Sequence, residues 1–359
     1  MAIRIETPEG TDALTEFVLF HDRVYASRPA RWSAFVPLEL PILAGGSPFV
    51  EGRRVRPFVA REGDEIVART AAVVDSRYNR HWRERLGHIV MFEALSGTRE
   101  ATRLLLDAAC EWLEREGTEA ARAGFGMLEF PFVIDAYDAL PPPFVRHNPA
   151  YYHSLLKDAG FETEKGLVDY KIRVRPELVA RWESAVEAAR RSGYALVPLR
   201  DVPASRRVAE FAELWSDTFK THWGFTPFSE GEVALLAESL GRVGMLDLSL
   251  IAYAGERPVG VLWVLPELSG TAGLAPGHAL AEAEKLNFLG IGVREAARGR
   301  GVNTAMAGHA YLELVRRGAR YLSYTIVLDD NWPSRRTAAK LGAEVCASYV
   351  VYRRNFRRS

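Results

Sequence analysis

The residues best suited to chemistry form one run in the second half of the chain, from Leu289 to Thr304. The run reads Leu-Gly-Ile-Gly-Val-Arg-Glu-Ala-Ala-Arg-Gly-Arg-Gly-Val-Asn-Thr, so that an apolar strand ends, a turn follows and glycine-rich backbone opens a helix. Free N–H groups and the positive end of a helix converge at such a point. Glycines allow close approach, and Arg298 and Arg300 add positive charge, which predicts a pyrophosphate site. Taken alone, the run also allows a glycine turn without a ligand.

Two common phosphate-binding motifs are excluded by these residues. A P-loop needs Gly-Lys-Ser or Gly-Lys-Thr before its helix, and the run contains neither. A dinucleotide fingerprint that starts at Gly290 needs a glycine at position 295, which is Glu295. The run therefore predicts an anion loop of another type.

The elements that must position this loop are predicted twice along the chain. Each half follows the order strand, helix, paired strands, strand, helix, strand, helix, strand, which indicates an internal duplication of long period. Gly63-Asp64 and Gly255-Glu256 are matching hairpin signals in the two halves. Among the expected elements are strands near Gly126–Phe132 and over Leu246–Ala254, and an irregular stretch over Arg28–Pro48.

Composition narrows the class of protein. The 359 residues are a prior for about two domains. The 46 basic residues balance 46 acidic ones, and zero net charge argues against a general nucleic-acid partner. The eight His and two Cys form no compact metal or disulfide motif, so we expect no metal. No apolar stretch resembles a secretion signal or a membrane span, so we expect a cytoplasmic protein without a membrane partner.

The pattern Arg298-x-x-Gly301-x-Asn303 after a strand, with Asn331 after the next strand, resembles the GCN5-related N-acetyltransferase (GNAT) superfamily. Asn303 stands where that family usually has Gly or Ala. The resemblance covers about residues 194–352. The whole chain is also similar to bacterial tandem GNAT proteins, through His222–Pro227, Val264–Pro266 and Leu328–Asn331. It implies an α/β (α+β) fold of two tandem domains, each a mixed central sheet flanked by helices.

The resemblance also implies an acyl-CoA site, with acetyl-CoA as the default donor. The strand would offer backbone groups to the pantetheine arm, the loop would hold the pyrophosphate, and two polar residues of the next helix would contact the CoA arm. Helix capping is the alternative role for those two residues. In this order, the implied residues are Ile291, Gly292 and Val293; Arg298, Gly299, Arg300, Gly301, Val302, Asn303 and Thr304; Asn331 and Ser334.

The catalytic groups follow less directly. Many family members carry a Tyr as proton donor at the place of Ala338, so Tyr324 is our candidate acid, with core packing as its alternative. Asp330, at the carboxyl end of the same strand, is our candidate base. Trp223 and Phe225 are candidate walls of the acceptor site, with core packing again as the alternative.

The first half has no such loop, and Glu100 places negative charge where a pyrophosphate would lie. We expect residues 1–175 to be a degenerate GNAT-like domain, residues 176–193 a connector, and residues 194–359 the acyltransferase domain. The predicted function is acyl transfer, most simply acetyl transfer, from CoA to the amine of a small molecule or an amino-acid-like acceptor. The alternatives are a non-catalytic CoA-binding scaffold and a transferase of longer acyl or aminoacyl groups. We expect a monomer or homodimer.

Overall fold

The computed structural model describes residues 2–356. The strands are β1 (Ile3–Glu6), β2 (Ala30–Arg31), β3 (Arg53–Glu62), β4 (Glu65–Asp75), β5 (Leu86–Ala94), β6 (Ala120–Ala123), β7 (Phe132–Val133), β8 (Glu162–Arg173), β9 (Tyr194–Pro198), β10 (Leu250–Ala254), β11 (Arg257–Leu265), β12 (Gly273–Leu274), β13 (Phe288–Val293), β14 (Tyr321–Leu328) and β15 (Glu344–Asn355). The helices are α1 (Gly10–Val24), α2 (Val36–Leu43), α3 (Ser76–Trp82), α4 (Arg99–Arg115), α5 (Tyr152–Asp158), α6 (Pro176–Arg191), α7 (Ala204–Phe219), α8 (Glu230–Gly241), α9 (Met245–Leu248), α10 (Val302–Arg316) and α11 (Trp332–Lys340).

Local sequence accounts for the longer helices. In α4, Leu105, Leu106, Ala109 and Leu113 recur at helical spacing and are all buried against the sheet. The helix ends before Gly117, whose φ of +87° is a conformation that glycine adopts without strain. α10 has the same arrangement of an apolar face and a terminal glycine, and α11 likewise ends before a glycine of positive φ, Gly342.

The two halves exchange their last strands. The main sheet has the order β1-β3-β4-β5-β6-β15-β8-β14, with β7 paired to β15. Strand β15 of the second half lies beside β6 of the first, and β8 of the first half lies beside β14 of the second. β8 and β15 pair with each other between them. A second sheet, β13-β11-β10-β9, belongs to the second half alone.

The halves also share a hydrophobic core. One cluster of buried side chains joins Phe17 and Phe49 of the first half to Leu236, Ile251 and Tyr349 of the second. The connecting helix α6 packs on α10, where the Trp182 ring is 5.2 Å from that of Tyr311. The helix that follows the predicted anion loop is thus supported along its length.

The α/β fold, with a mixed central sheet flanked by helices, agrees with the prediction. The second sheet is antiparallel. Three local predictions are wrong. The strand expected near Gly126–Phe132 is replaced by β6, a buried Ala-Ala-Arg-Ala segment, and by the short β7. The first residues of the strand expected over Leu246–Ala254 form α9 instead. The stretch Arg28–Pro48, expected to be irregular, contains α2, which begins with a proline in its first turn.

The domain division at residues 175, 176–193 and 194 stays a prediction. β8 ends at Arg173, α6 occupies most of the connector and β9 begins at Tyr194. The exchanged strands mean that each half completes the sheet of the other. The sequence ends in a basic run, Arg353–Arg358, which begins in β15, while residues 357–359 lie outside the described residues.

Candidate functional site

The second half contains a gap between two neighbouring strands, β13 and β14. At their start the strands are joined by side chains, since Asn287 Oδ1 accepts from Ser323 N at 3.1 Å and Thr325 Oγ1 accepts from Leu289 N at 3.4 Å. Over residues 2–356, no ladder of backbone hydrogen bonds connects these two strands. The two sheets therefore diverge here, and one edge of β13 stays open.

The open edge presents the backbone of Ile291. β13 pairs with β11 on its other edge, and backbone groups of alternate residues point to alternate edges of a strand. Because Leu289 N points to β14, the N–H and C=O of Ile291 point the same way. Among the described residues, neither group has a hydrogen-bond partner on this edge. This is the backbone that the resemblance assigns to the pantetheine arm.

Two glycines of β13 allow α7 to pack directly on the strand. A Cβ at Gly290 would lie 2.7 Å from Trp215 Cη2, and one at Gly292 would lie 2.2 Å from Thr218 Oγ1. Both distances are too short for a real side chain. These glycines therefore serve the packing of helix on strand, whereas those of the following loop serve its backbone conformation.

The loop after β13 has the geometry of an anion site. Gly299 and Gly301 have φ values of +75° and +80°, and Gly301 is the residue before the first turn of α10. The first amides of this 15-residue helix have no partner within the helix. Arg298 is held to the strand by a bond from its Nε to Val293 O at 3.1 Å. Asn303 Oδ1 is buried without a hydrogen-bond partner, so the pocket retains unused polar capacity.

Loop and gap open into one cleft of about 950 Å³. All predicted site residues except Arg300 line this cleft, which brings together the strand, the loop, Asn331, Ser334, Tyr324, Asp330, Trp223 and Phe225. Arg300 is exposed on the outside of the loop. The roles of these residues remain predictions. Their convergence and the partly unused polar groups fit an acyl-CoA.

Two candidate site residues, Tyr324 of β14 and Asn331 at the start of α11, are held by hydrogen bonds. Tyr324 is buried, and its hydroxyl lies 3.1 Å from Ser334 Oγ. Burial raises the pKa of Tyr324 to about 12, so the hydroxyl keeps its proton at neutral pH. Asn331 caps α11, where its Oδ1 accepts from Ser334 N at 3.2 Å. The capping role that the sequence allows for Asn331 is present in the structure.

Asp330 is placed unfavourably for a proton acceptor. Its carboxylate is exposed at the rim of the cleft and forms an ion pair with Lys165, which belongs to β8 of the first half. The hydrogen bond from Lys165 holds the pKa of Asp330 below its usual value. A carboxylate with a lowered pKa is a weaker base, so the pair disfavours the predicted role.

Trp223 and Phe225 lie on the cleft wall and also pack against the first half. The Trp223 ring is 5.3 Å from that of Phe125 and 4.4 Å from the guanidinium of Arg122. Phe225 O accepts a bond of 2.8 Å from Trp82 Nε1. Wall and core packing therefore coexist at these positions.

Sequence reasoning named none of the first-half residues that line the cleft. No sequence motif identifies these first-half residues, because they reach the cleft only across the interface between the two halves, which we call the joint. They include Phe49, Arg53, Phe125, Met127, Leu128, Phe130 and Lys165. His222, which belongs to a stretch that carries the family resemblance but was given no role, also lines the cleft.

The corresponding strand edge of the first half is closed. β5 pairs with β6 in parallel from Leu86 to Ile89, and beyond this ladder the polar backbone groups of β5 are bonded by side chains. Along the strand these bonds are Met91 N to Glu129 Oε2 at 2.8 Å, Phe92 O from Arg146 at 2.8 Å, Ala94 N to the Tyr152 hydroxyl at 2.9 Å and Ala94 O from the Tyr151 hydroxyl at 2.8 Å.

Two features are absent from the described residues, namely a cluster of metal ligands and a membrane-spanning helix. In residues 2–356, no three or more His, Cys, Asp or Glu side chains are grouped so that they could hold a metal ion. No helix in that range has the length and apolar character needed to span a membrane.

Comparisons with known proteins agree with the fold. The Acetyltransferase (GNAT) family matches residues 208–343. Bacterial ceramide synthase of Caulobacter vibrioides is 27% identical over 230 residues, which are 62% of this chain and 59% of that protein. Protein YghO of Escherichia coli is 22% identical over 263 residues, which are 71% of this chain and 66% of that protein. The match thus spans less than two thirds of either relative.

Among solved structures, a tandem GNAT protein from the clavulanic acid biosynthesis pathway aligns with a TM-score of 0.60 at 14% identity, and the alignment covers 100% of both chains. At this identity the likeness concerns the fold. The family match covers the loop, the open strand and α11, and the structural match covers both halves. Residues 208–343 thus match the GNAT family, and the chain as a whole has the fold of a tandem GNAT protein.

Proposed function

We propose that this protein is an acyl-CoA-dependent N-acyltransferase whose reaction takes place in the cleft of the second half. The observation that carries the proposal is the open edge of β13, which leads directly into the loop before α10. An extended amide-containing arm can pair with a free strand edge, while a pyrophosphate binds free amides at a helix start. A CoA thioester has both parts, joined in this order.

Successive residues along the chain would bind successive parts of the acyl-CoA. Ile291 would pair with the arm, the amides from Arg298 to Thr304 would hold the pyrophosphate, and Asn303 Oδ1 supplies an unused acceptor. The acyl-CoA supplies the activated thioester carbonyl. The amide-bearing edge of β13 is suited to hold the oxygen of that carbonyl as negative charge develops on it. Tyr324 is protonated at neutral pH and lies on the cleft, which supports its role as proton donor to the leaving thiolate.

The acceptor we propose is an amine that carries a long apolar chain. Beyond the loop and the strand, the cleft wall is largely aromatic, with contacts between Trp215, Phe228, Trp263 and Phe288. Phe130 of the first half joins this group through Phe288 at 5.5 Å. Such a wall favours hydrocarbon over a small polar amine. A ceramide is the amide of a long-chain amino alcohol, so the relative from Caulobacter supports the same acceptor class.

Calorimetry with matched variants tests the donor site. Gly301 and Gly97 stand before the helices of the two halves with similar φ values of +80° and +84°, and a Cβ at either position would have no neighbouring atom within 4 Å. We expect Gly301→Asp to lower the affinity for acetyl-CoA and palmitoyl-CoA by at least about 100-fold, because it adds strain and negative charge at the pyrophosphate. Gly97→Asp carries the same strain and should leave the affinity unchanged.

A thiol-release assay tests the acceptor. Sphinganine, as the long-chain amine, should be acylated faster than ethanolamine with the same donor. The absence of acyl-CoA binding by the wild-type protein, or an equal loss in both glycine variants, contradicts the proposal. Binding without turnover of any amine would favour the non-catalytic scaffold instead.

A further inference from the structure

His222 is a titratable side chain on the cleft wall to which no role has been given. Its ring meets the edge of the Phe219 ring at a centroid distance of 5.7 Å. Phe219 in turn lies against β13, since its Cε2 would be 2.8 Å from a Cβ at Gly292. His222 is therefore one side chain away from β13 and lines the same cleft as the open edge of that strand.

The hydrogen bonds of His222 determine which nitrogen carries the proton. Nδ1 lies 3.1 Å from Trp223 O, and a carbonyl oxygen can only accept, so Nδ1 is the donor. In the neutral ring, Nε2 then has a free lone pair. Nε2 has no hydrogen-bond partner among the described residues and is not sealed from the cleft. The ring thus presents a proton acceptor of fixed tautomer.

The surroundings favour the neutral ring. Burial lowers the pKa of His222, and the carboxylate of Asp330 across the cleft partly offsets this by raising it. Asp330 is itself paired with Lys165. On the other side Lys220 is paired with Asp217 and directs its carbonyl at His81. No charge that faces the ring is therefore unbalanced, and a neutral imidazole is ready to accept a proton.

We propose that His222 is the general base of the transfer, with its Nε2 taking a proton from the ammonium group of the acceptor. This inference rests on the proposed function. The freed amine nitrogen forms the C–N bond with the thioester carbonyl carbon, and the C–S bond breaks with its electron pair on sulfur. The nitrogen loses its second proton as the thiolate gains one, and the imidazolium returns its proton to solvent. One proton is released for each amide formed.

The test uses the full chain with sphinganine and palmitoyl-CoA, and follows free thiol from pH 5.5 to pH 9. We expect His222→Asn to lower kcat by about 10²- to 10⁴-fold, the usual contribution of a general base. The affinity for palmitoyl-CoA in calorimetry should stay within about twofold of wild type. The acidic limb of the wild-type kcat profile, below the ordinary histidine pKa, should disappear. Added imidazole should restore part of the rate of His222→Ala.

His81→Asn is the matched control, because His81 contacts the same loop through Phe225 and Lys220 O but does not line the cleft. It should leave kcat and the pH profile unchanged. His222→Gln, which keeps the side-chain volume, replaces the Asn variant if that one does not fold. A folded variant with kcat within tenfold of wild type and an unchanged acidic limb overturns the inference. A wild-type protein without turnover contradicts the proposed function itself.

Discussion

The two halves carry the same strand pair in opposite states. In the first half, β5 and β6 share a ladder, and four backbone groups beyond it are bonded by Glu129, Arg146, Tyr151 and Tyr152. In the second half, β13 and β14 share no ladder in the described residues, and Ile291 faces an open cleft. A strand edge needs partners in either case. One half finds them in its own side chains, and the other leaves them for a ligand.

This difference means that the closed state of the β5 edge does not result from the missing phosphate loop alone. Glu93, buried at the end of β5, accepts hydrogen bonds from the hydroxyls of Tyr25 and Tyr152 and bonds His21. Burial alone would raise the pKa of Glu93, but its hydrogen bond and electrostatic interaction with His21, together with Arg146 and Arg69, lower that pKa to about 2. Polar side chains of the first half thus occupy the place that the second half keeps free.

The two halves still share one structural feature beside these strands, a strained residue whose N–H is bonded by a buried carboxylate. Met91 of β5 and Ile326 of β14 have φ values of +53° and +51°, a strained region for residues with side chains. In each case a buried carboxylate accepts from the strained N–H, namely Glu129 Oε2 at 2.8 Å and Asp169 Oδ1 at 2.5 Å. Asp169 comes from β8, so the first half also shapes the gap of the second.

The largest expected effect, on the free energy of unfolding, comes from removing the ion pairs that join the second half to the first. Glu232 at the start of α8 is fully buried and forms ion pairs with Arg53 and Arg77 of the first half. Glu232→Gln leaves buried positive charge without its counterion, and we expect it to lower the free energy of unfolding by about 3 to 5 kcal/mol. Urea unfolding measures this. The exposed neighbour Glu230→Gln should change it by less than about 0.5 kcal/mol. Equal values for both variants would mean that the joint contributes nothing.

The second prediction converts the open half into the closed one. Ser334 in α11 and Tyr152 in α5 both lie eight residues before the glycine that follows the helix, Gly342 and Gly160. We expect the hydroxyl of Ser334→Tyr to reach the open edge of β13 and to lower acyl-CoA affinity by about 100-fold, or about 3 kcal/mol. Arg336→Tyr, on the exposed side of α11, should bind acyl-CoA as the wild type does. Unchanged affinity in Ser334→Tyr would show that the two positions are not equivalent.

The third prediction concerns the carboxylate that the first half lends to the open gap. Asp169 is buried, and burial raises its pKa to about 7. Between about pH 4 and pH 7 the folded state keeps a proton that the unfolded state has lost, so stability falls as pH rises through this window. Relative to Asp169→Asn, the wild type should lose about 2 to 3 kcal/mol from pH 5 to pH 7, at about 1.4 kcal/mol per pH unit.

Urea unfolding at a series of pH values gives this difference directly. Asp135→Asn is the control, because Asp135 is exposed and also accepts from a backbone N–H, that of Ser348, at 2.9 Å. It should show no such window. A wild-type curve parallel to that of Asp169→Asn would contradict a proton held at Asp169.

Sequence predicted the elements well and their partners poorly. The hairpins expected at Gly63-Asp64 and Gly255-Glu256 join β3 to β4 and β10 to β11, and the loop from Leu289 to Thr304 joins β13 to α10 as expected. The exchange of β8 and β15 left no trace in the pattern, because an alternating strand has the same sequence whichever neighbour it pairs with. Segment Ala120–Ala123 was missed because its alanines carry no strand preference, and its burial comes from tertiary contacts.

The candidate site shows the same limit. Residues contiguous with the loop were found, since the motif itself names them. The wall from Phe49, Phe125 and Phe130 was not, because these residues reach the cleft only through the joint between the halves. Asp330 was a reasonable base by its place at a strand end, but Lys165, distant in sequence, occupies its carboxylate. A degenerate first half was predicted from its missing loop, whereas the closed edge of β5 and the tyrosines that close it were not.

The smallest expected effect tests whether removing a hydroxyl reopens the closed half. The Tyr152 hydroxyl accepts from Ala94 N at 2.9 Å and donates to Glu93 Oε2 at 2.6 Å. Tyr152→Phe leaves a buried N–H unpaired, so we expect a loss of about 1 to 2 kcal/mol in urea unfolding. Tyr151→Phe, at a half-buried hydroxyl, should lose less.

The binding stoichiometry of acyl-CoA in Tyr152→Phe distinguishes two explanations for the closed edge of β5, namely the Tyr152 hydroxyl and the missing phosphate loop. The variant frees one group of the β5 edge, but Arg146 and Glu129 still bond the others, and Glu100 still opposes a pyrophosphate at the start of α4. Calorimetry should therefore still count one site per chain, with the affinity of the wild type. A second site in this variant would mean that the tyrosine alone closes the first half. The missing loop would then be a consequence of closure rather than a cause.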